Sequence, residues 1–201
     1  MKYIKEIRER FSSPDFPIFR AREFRTMNVG KKYSKRLTHM LLSRSEITRI
    51  TRGVYTFHNN SNVVGFAFAP FYYGLEDALR IRGLSEQGTN PLVVTSRNVR
   101  QGTRQFKGSN YRIYKIDKRF FFGYDLIRIG DFWVPVSDVE KTVIDMIHFN
   151  GGIRDELWPG ILKVLKMKKL REYLKRYKPG FRKRVVGVVD SQRGRKTTVH
   201  G

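Results

Sequence analysis

Between Met1 and Phe11 the apolar residues Tyr3, Ile4, Ile7 and Phe11 fall at helical spacing among lysines, arginines and glutamates, which predicts a short amphipathic helix. Ser12-Ser13-Pro14 breaks it. Pro17 suits a first helical position, and Ile18, Phe19, Ala21 and Phe24 predict a second helix up to about Thr26. After a turn at Asn28-Val29-Gly30, residues 31–43 predict a third helix with Tyr33, Leu37, Met40 and Leu41 on one face. Lys32, Arg36 and His39 then share the other face, flanked by Lys35 and Thr38. Residues 47–50 and 54–57 alternate around a bend at Thr51-Arg52-Gly53, the pattern of a β-hairpin that carries two arginines at its turn, Arg49 and Arg52.

Beyond residue 57 the pattern changes. Residues 66–71 read as a strand, and 74–82 as a helix with Leu75, Ala78 and Leu79 inward. Further strands are predicted at 92–95, 111–116, 126–129 and 132–134. Ser137 followed three residues later by Glu140 reads as a capping box opening a helix through Val139, Val143, Ile144 and Ile147. Pro159 starts a helix carrying Ile161, Leu162 and Leu165, and Leu170, Tyr173, Leu174 and Tyr177 mark another amphipathic stretch. Residues 192–201, rich in basic residues, glycine and threonine, read as disordered when free. The expected fold class is α+β: an N-terminal winged helix-turn-helix over 1–57, a mixed α/β module over 58–158, and a basic helical segment with a flexible tail over 159–201.

Charge sharpens this division. The chain of 201 residues carries 41 lysines and arginines against 18 acids, a net charge of +23. Residues 1–57 hold 14 basic and 5 acidic side chains, 58–158 hold 13 and 11, and 159–201 hold 14 and 2, so the excess sits at the two ends. Such density favours a polyanion partner, with nucleic acid first. There is no cysteine, which excludes disulfides and thiolate metal sites. The longest apolar stretch, Val63 to Leu75, is too short for a membrane span and contains Pro70, and the first residues lack the apolar core of a signal peptide. The expectation is a soluble cytoplasmic protein without a membrane partner.

Three short helices followed by a basic hairpin is the order of a winged helix-turn-helix, in which the last helix enters the major groove of double-stranded DNA and the hairpin forms the wing. Arg and Lys can donate to guanine O6 and N7, and Thr and His reach base edges or phosphates. The candidate DNA contacts are Lys31, Lys32, Tyr33, Ser34, Lys35, Arg36, Thr38 and His39, with Arg49 and Arg52 on the hairpin. A protein-docking module is the rival for the same elements. A second rival is a metal-dependent nuclease built on Asp125, Asp138, Glu140 and Lys141, although the capping role of Glu140 accounts for part of that group. His39, His58, His148 and His200 show no paired spacing for zinc, and no glycine-rich phosphate loop is present, so no catalytic residue, metal or cofactor is expected. The run Phe120-Phe121-Phe122-Gly123-Tyr124 reads as core and hairpin edge in preference to a base-stacking platform. The cations between Lys163 and Arg184, eleven against the single acid Glu172, offer a further surface for DNA or RNA phosphates.

Several runs are similar to a known family. Asn28-Val29-Gly30-Lys31-Lys32-Tyr33 through Leu41-Leu42, then Ile47-Thr48-Arg49-Ile50 and Arg52-Gly53-Val54-Tyr55, resemble the N-terminal winged helix of AbiEi-type antitoxins and their archaeal relatives. Tyr72 to Leu79 with Gly83-Leu84, Pro91 to Thr95, and Val134 to Thr142 resemble segments of that family's second domain, so the likeness spans about Pro17 to Phe149. The resemblance implies an antitoxin-like transcriptional regulator that represses its own operon and opposes a nucleotidyltransferase-like toxin. The basic segment after Trp158 departs from the family's pattern. Homodimerisation is expected because symmetric operators favour dimers.

Overall fold

The computed structural model describes residues 2–197. The chain opens with α1 (Lys2–Phe11), a 3-10 helix (Ala21–Met27), α2 (Lys31–Ser43) and the hairpin β1 (Thr48–Thr51) and β2 (Val54–Thr56). Ile4, Ile7, Phe11, Phe19, Phe24, Leu37 and Leu41 form a local core with Val29 and Ile47. The second helix predicted from Pro17 is shorter than expected. Phe19 exchanges backbone hydrogen bonds with Tyr55 at 2.8 and 2.9 Å, which holds residues around it extended until Ala21. Asn28 takes the left-handed conformation (φ 58°) that closes the turn into α2.

The central sheet has six strands: β3 (Phe71–Tyr73), β4 (Leu92–Thr95), β5 (Gly102–Phe106), β6 (Ser109–Lys115), β7 (Tyr124–Ile129) and β8 (Phe132–Ser137). Their order is β5-β6-β4-β3-β8-β7. The β6/β4 and β3/β8 pairs are parallel and the other three antiparallel, so the sheet is mixed and the fold α+β. Register sorts the side chains into two layers. Tyr72, Val94 and Tyr114 are neighbours across three strands and join one core cluster, while Tyr73, Val93 and Ile113, one residue along, join the other.

The first layer packs against α3 (Leu75–Ile81), α4 (Val139–Asn150), α5 (Trp158–Val164), α6 (Met167–Leu174) and α7 (Pro179–Thr197). The second lies under the hairpin residues Ile50 and Val54 and a 3-10 helix over Ser61–Phe68. That 3-10 helix replaces the strand expected to begin at residue 66. An unbroken apolar run has no period to distinguish the two, and the local hydrogen bonds decide: Gly65 donates to the Tyr73 hydroxyl at 3.0 Å, and that hydroxyl donates to the Asn62 carbonyl. Strand β5 is absent from the expected strands, because Gly102-Thr103-Arg104-Gln105 has little apolar signal. The antiparallel ladder to β6 supplies its order.

The C-terminal segment is core. Leu170, Leu174, Tyr177, Val185 and Val189 are buried in the same cluster as Tyr72. The disorder expected for 192–201 is corrected for 192–197, which continue α7, with Gln192 donating to Asp155 at 3.2 Å; residues 198–201 lie outside the described residues. The cap of α4 is also corrected. Strand β8 runs through Ser137, so Asp138 is the residue left extended, and its carboxylate accepts from the Lys141 N–H at 2.8 Å. Ser137 instead shares a hydrogen bond with Thr142. Glu140 accepts from the Lys166 N–H at 2.7 Å, joining α4 to the entry of α6.

One turn along α4, the Lys141 ammonium is ion-paired with Asp145, and neither side chain is accessible to water. Tyr72 donates to Asp145 at 2.7 Å. Burial pulls Lys141 down and pushes Asp145 up from their ordinary ranges, and each opposes the other's loss of charge. Asp145→Ala, which leaves an ammonium alone in the core, is expected to lower the unfolding free energy by about 3–5 kcal/mol in urea titrations. Lys141→Met with Asp145→Leu should recover part of that loss; a single variant costing less than about 1 kcal/mol would show the pair to be solvated.

His148, among the rings of Phe120, Phe149 and Phe181, is lowered by burial, with Asp145 opposing and Lys141 reinforcing the shift. A base lowered in the folded state binds more protons when unfolded, so this stability is present at high pH and is lost as pH falls through the unfolded value of about 6.5. The urea midpoint should therefore drop between about pH 7.5 and about pH 5.5, and drop less in His148→Gln.

Candidate nucleic-acid interface

Helix α2 divides its residues sharply. Leu37 and Leu41 are buried in the N-terminal core, while Lys31, Lys32, Lys35, Arg36 and His39 are exposed. Exposed cations on one face of a helix whose other face is fixed in a core form a rigid, donor-rich surface. Two residues expected on that surface are not there. Ser34 and Thr38 are buried: Ser34 Oγ donates to the Gly30 carbonyl at 3.0 Å, and Thr38 Oγ1 donates to the Ser34 carbonyl at 2.9 Å. Their short side chains satisfy backbone carbonyls within the helix and let it pack closely. Tyr33, assigned inward by its period, is 38% exposed and meets Tyr3 edge-on.

The preceding 3-10 helix adds cations that sequence patterning does not select. Arg22 and Arg25 line a small recess of about 140 Å³ with Lys31, Ser34 and Lys35. Their i, i+3 spacing is a usable signal, masked because the apolar residues of that segment mark it only as support for the next helix. Gly30, at the N-cap of α2, provides no side-chain cap for the first N–H groups of the helix.

Arg49 and Arg52 are both exposed on the hairpin, and Gly53 (φ 75°) makes its bend. The hairpin's other face is fixed to the sheet. Ile50 and Val54 are buried with Phe68 and Tyr111, and Tyr111 Oη donates to the Ile50 carbonyl at 3.0 Å. The structure thus brings Lys31, Lys32, Lys35, Arg36 and His39 onto one helix surface and sets Arg49 and Arg52 on a hairpin held by two cores.

The carboxylates considered for metal chemistry are engaged otherwise. Asp125 pairs with Arg82 at 2.9 Å, and Asp138 with Lys169 at 3.0 Å and the Tyr173 hydroxyl at 2.7 Å. Glu140 lies 3.6 Å from Lys169, and Lys141 is buried with Asp145. A cavity of about 580 Å³ runs past Asp125, Asp138 and Glu140, but Arg82, Lys163, Lys166 and Lys169 line it too. The aromatic run is packed: Phe120 stacks on Tyr177 at 4.2 Å, Phe121 lies tilted against Tyr72 at 5.2 Å, and Phe122 meets Tyr173 edge-on at 5.0 Å.

No protein-family model matches the chain, and no curated protein matches it. Among the described residues, no helix is long and apolar enough to cross a membrane.

Replacing Arg22 and Arg25 together by alanine is expected to flatten the dependence of log K on log salt for duplex binding by roughly 1.8, about 0.9 for each phosphate no longer neutralised. Thr38→Val should leave affinity and slope unchanged and register only as a small loss of thermal stability, about 1 kcal/mol, on removal of its hydrogen bond. Equal slopes for both variants would remove the 3-10 helix from the interface.

Proposed function

We propose that the chain is a sequence-specific, double-stranded-DNA-binding transcriptional regulator, without enzymatic activity, whose reading head is a winged helix-turn-helix in its first 57 residues. The observation that carries this reading is the cationic face of α2, where Lys32, Lys35, Arg36 and His39 are exposed, together with the exposed hairpin arginines Arg49 and Arg52. The order helix, 3-10 helix, helix and hairpin supports this reading. In this assignment Arg36 and Lys32 donate to base edges from the major groove, while Lys31, Arg22 and Arg25 position the duplex through its phosphates. Arg49 and Arg52 follow the backbone or minor groove.

The resemblance to AbiEi-type antitoxins extends the proposal to an autorepressing, antitoxin-like protein with a nucleotidyltransferase-like toxin as partner and with homodimers on a symmetric operator. The sheet offers a place for a protein contact: on β7 and β8, Leu126 is 64% exposed and Trp133 61% exposed. The nuclease alternative has less support, since each carboxylate it needs is paired with a cation and its lysine is inaccessible.

Fluorescence anisotropy with the duplex upstream of the protein's own gene and a scrambled duplex, across salt and with or without Mg²⁺, tests the proposal. At physiological salt the native duplex should bind at least about a thousandfold tighter than the scrambled one, with Arg36→Ala costing about 1–3 kcal/mol and relaxing the preference. Equal, salt-labile binding to both would reject a specific regulator, and Mg²⁺-dependent cleavage would replace it with the nuclease.

A further inference from the structure

Behind the hairpin bend, where it meets the sheet, lies a recess of about 290 Å³ lined by Arg20, Arg52, Arg97, Arg100 and Arg104, with Phe68 at its wall. The five arginines arrive from separate places: ahead of the first 3-10 helix, on the hairpin bend, in the connection after β4, and on β5. No lining residue is acidic. Among the described residues, the one ion pair that any of the five makes is Arg20 with Glu23, at 3.8 Å. Arg97 donates to the Ala67 carbonyl at 3.0 Å. Arg104 donates to the Arg100 carbonyl at 3.0 Å and lies 5.1 Å from the centre of the Phe68 ring. These contacts hold two guanidinium groups in place through neutral partners, so their charge is positioned without being cancelled.

Clustered like charges raise one another's energy, and a polyvalent anion relieves that cost. The guanidinium fork matches phosphate oxygens two at a time, which a lysine point charge does not. The recess has the size of a small-ligand site at the lower end of the usual range. Its concavity suits a compact anion better than a duplex, whose phosphates stand on a convex rod and touch only a rim. Arg52 and Thr51 belong both to this lining and to the hairpin bend.

We propose that this recess binds a small, multiply charged phosphate anion, and that its occupation withdraws Arg52 from DNA; the second half rests on the DNA-binding reading above. The ligand class is an oligophosphate, free or as the phosphate arm of a nucleotide. DNA and anion would then compete, making the site an effector input next to the wing.

Calorimetric titration of the full chain with inorganic pyrophosphate, at physiological salt and without divalent metal, decides the first half. Saturable one-site binding is expected, weakened at least about tenfold in Arg52→Ala with Arg100→Ala and unchanged in Lys168→Ala with Lys178→Ala, which removes the same charge from a distant surface. Arg52 and Arg100 have exposed side chains without a hydrogen bond among the described residues, and matching thermal midpoints would show that the doubles fold. Absence of saturation, or equal weakening by the two doubles, overturns the site in favour of a diffuse cation cloud. If pyrophosphate fails to saturate while the arginine double weakens duplex binding, the arginines are backbone contacts and the proposal falls. The second half is read by displacement of a labelled duplex, with sulfate at equal ionic strength as reference. Displacement by pyrophosphate alone, abolished in the arginine double, supports competition, and saturable binding without displacement refutes it. Should no duplex bind at all, the competition half falls with the DNA-binding reading, and calorimetry still decides the anion site.

Discussion

A lysine ammonium and a carboxylate lie together where water does not reach, and most of the central and C-terminal architecture converges on them. Lys141 and Asp145 are one helical turn apart on α4; Tyr72 reaches Asp145 from β3, and the Tyr177 hydroxyl, from the connection between α6 and α7, lies 3.4 Å from the Lys141 Nζ. The ring of Phe122 stands 5.1 Å from the ammonium. A buried charge tolerates little displacement of its partners, so sheet, helix and C-terminal segment are held in one relative position. Gly123 shows how tightly: a Cβ there would come within 2.9 Å of Lys141 and of Tyr173, and its φ of 72° favours glycine independently.

This arrangement also explains how so cationic a chain folds. In the C-terminal helices the cations and the core occupy different faces. Leu170, Leu174, Val185 and Val189 face inward, while Lys163, Lys166, Lys168, Lys175 and Lys183 face solvent. Acids are placed where cations would otherwise gather on the core's edge, as with Asp138 and Glu140 beside Lys169. The N-terminal region uses its acids more sparingly. Glu46 holds Arg8 through two hydrogen bonds of 2.7 Å and is itself lowered by that guanidinium, and among the described residues no acid forms an ion pair with the cations of α2.

Periodicity makes α1, α2, the hairpin, α3 and α4 legible, because each has one face whose burial the sequence must encode, and short apolar runs mark β4, β6 and β8, whereas all but the first residue of β3 lies beyond the run expected as a strand. Patterning fails where order comes from a distant partner. The extension at Phe19 depends on Tyr55, the 3-10 helix before β3 on Tyr73, and β5 on its neighbour β6. Of the candidate interface, the long cations of α2 can be assigned from their spacing. Ser34 and Thr38 cannot, since small hydroxyl residues bury by bonding to their own helix and hydropathy counts them as polar. The arginine recess is invisible in sequence, where its members span residues 20 to 104 with no common motif.

The hairpin packs through Ile50 and Val54 into the same layer as Tyr73 and Val134. The hairpin thereby ties the N-terminal helices to the sheet, so the placement of one relative to the other depends on this packing. In an assembly of two copies joined through the sheet, the distance between the two α2 helices would be a property of the core. Lengthening a loop would not retune it; only repacking beneath Ile50 would. The spacing of the two helices and the hydrophobic packing would then be a single inherited trait, each constraining how the other can drift.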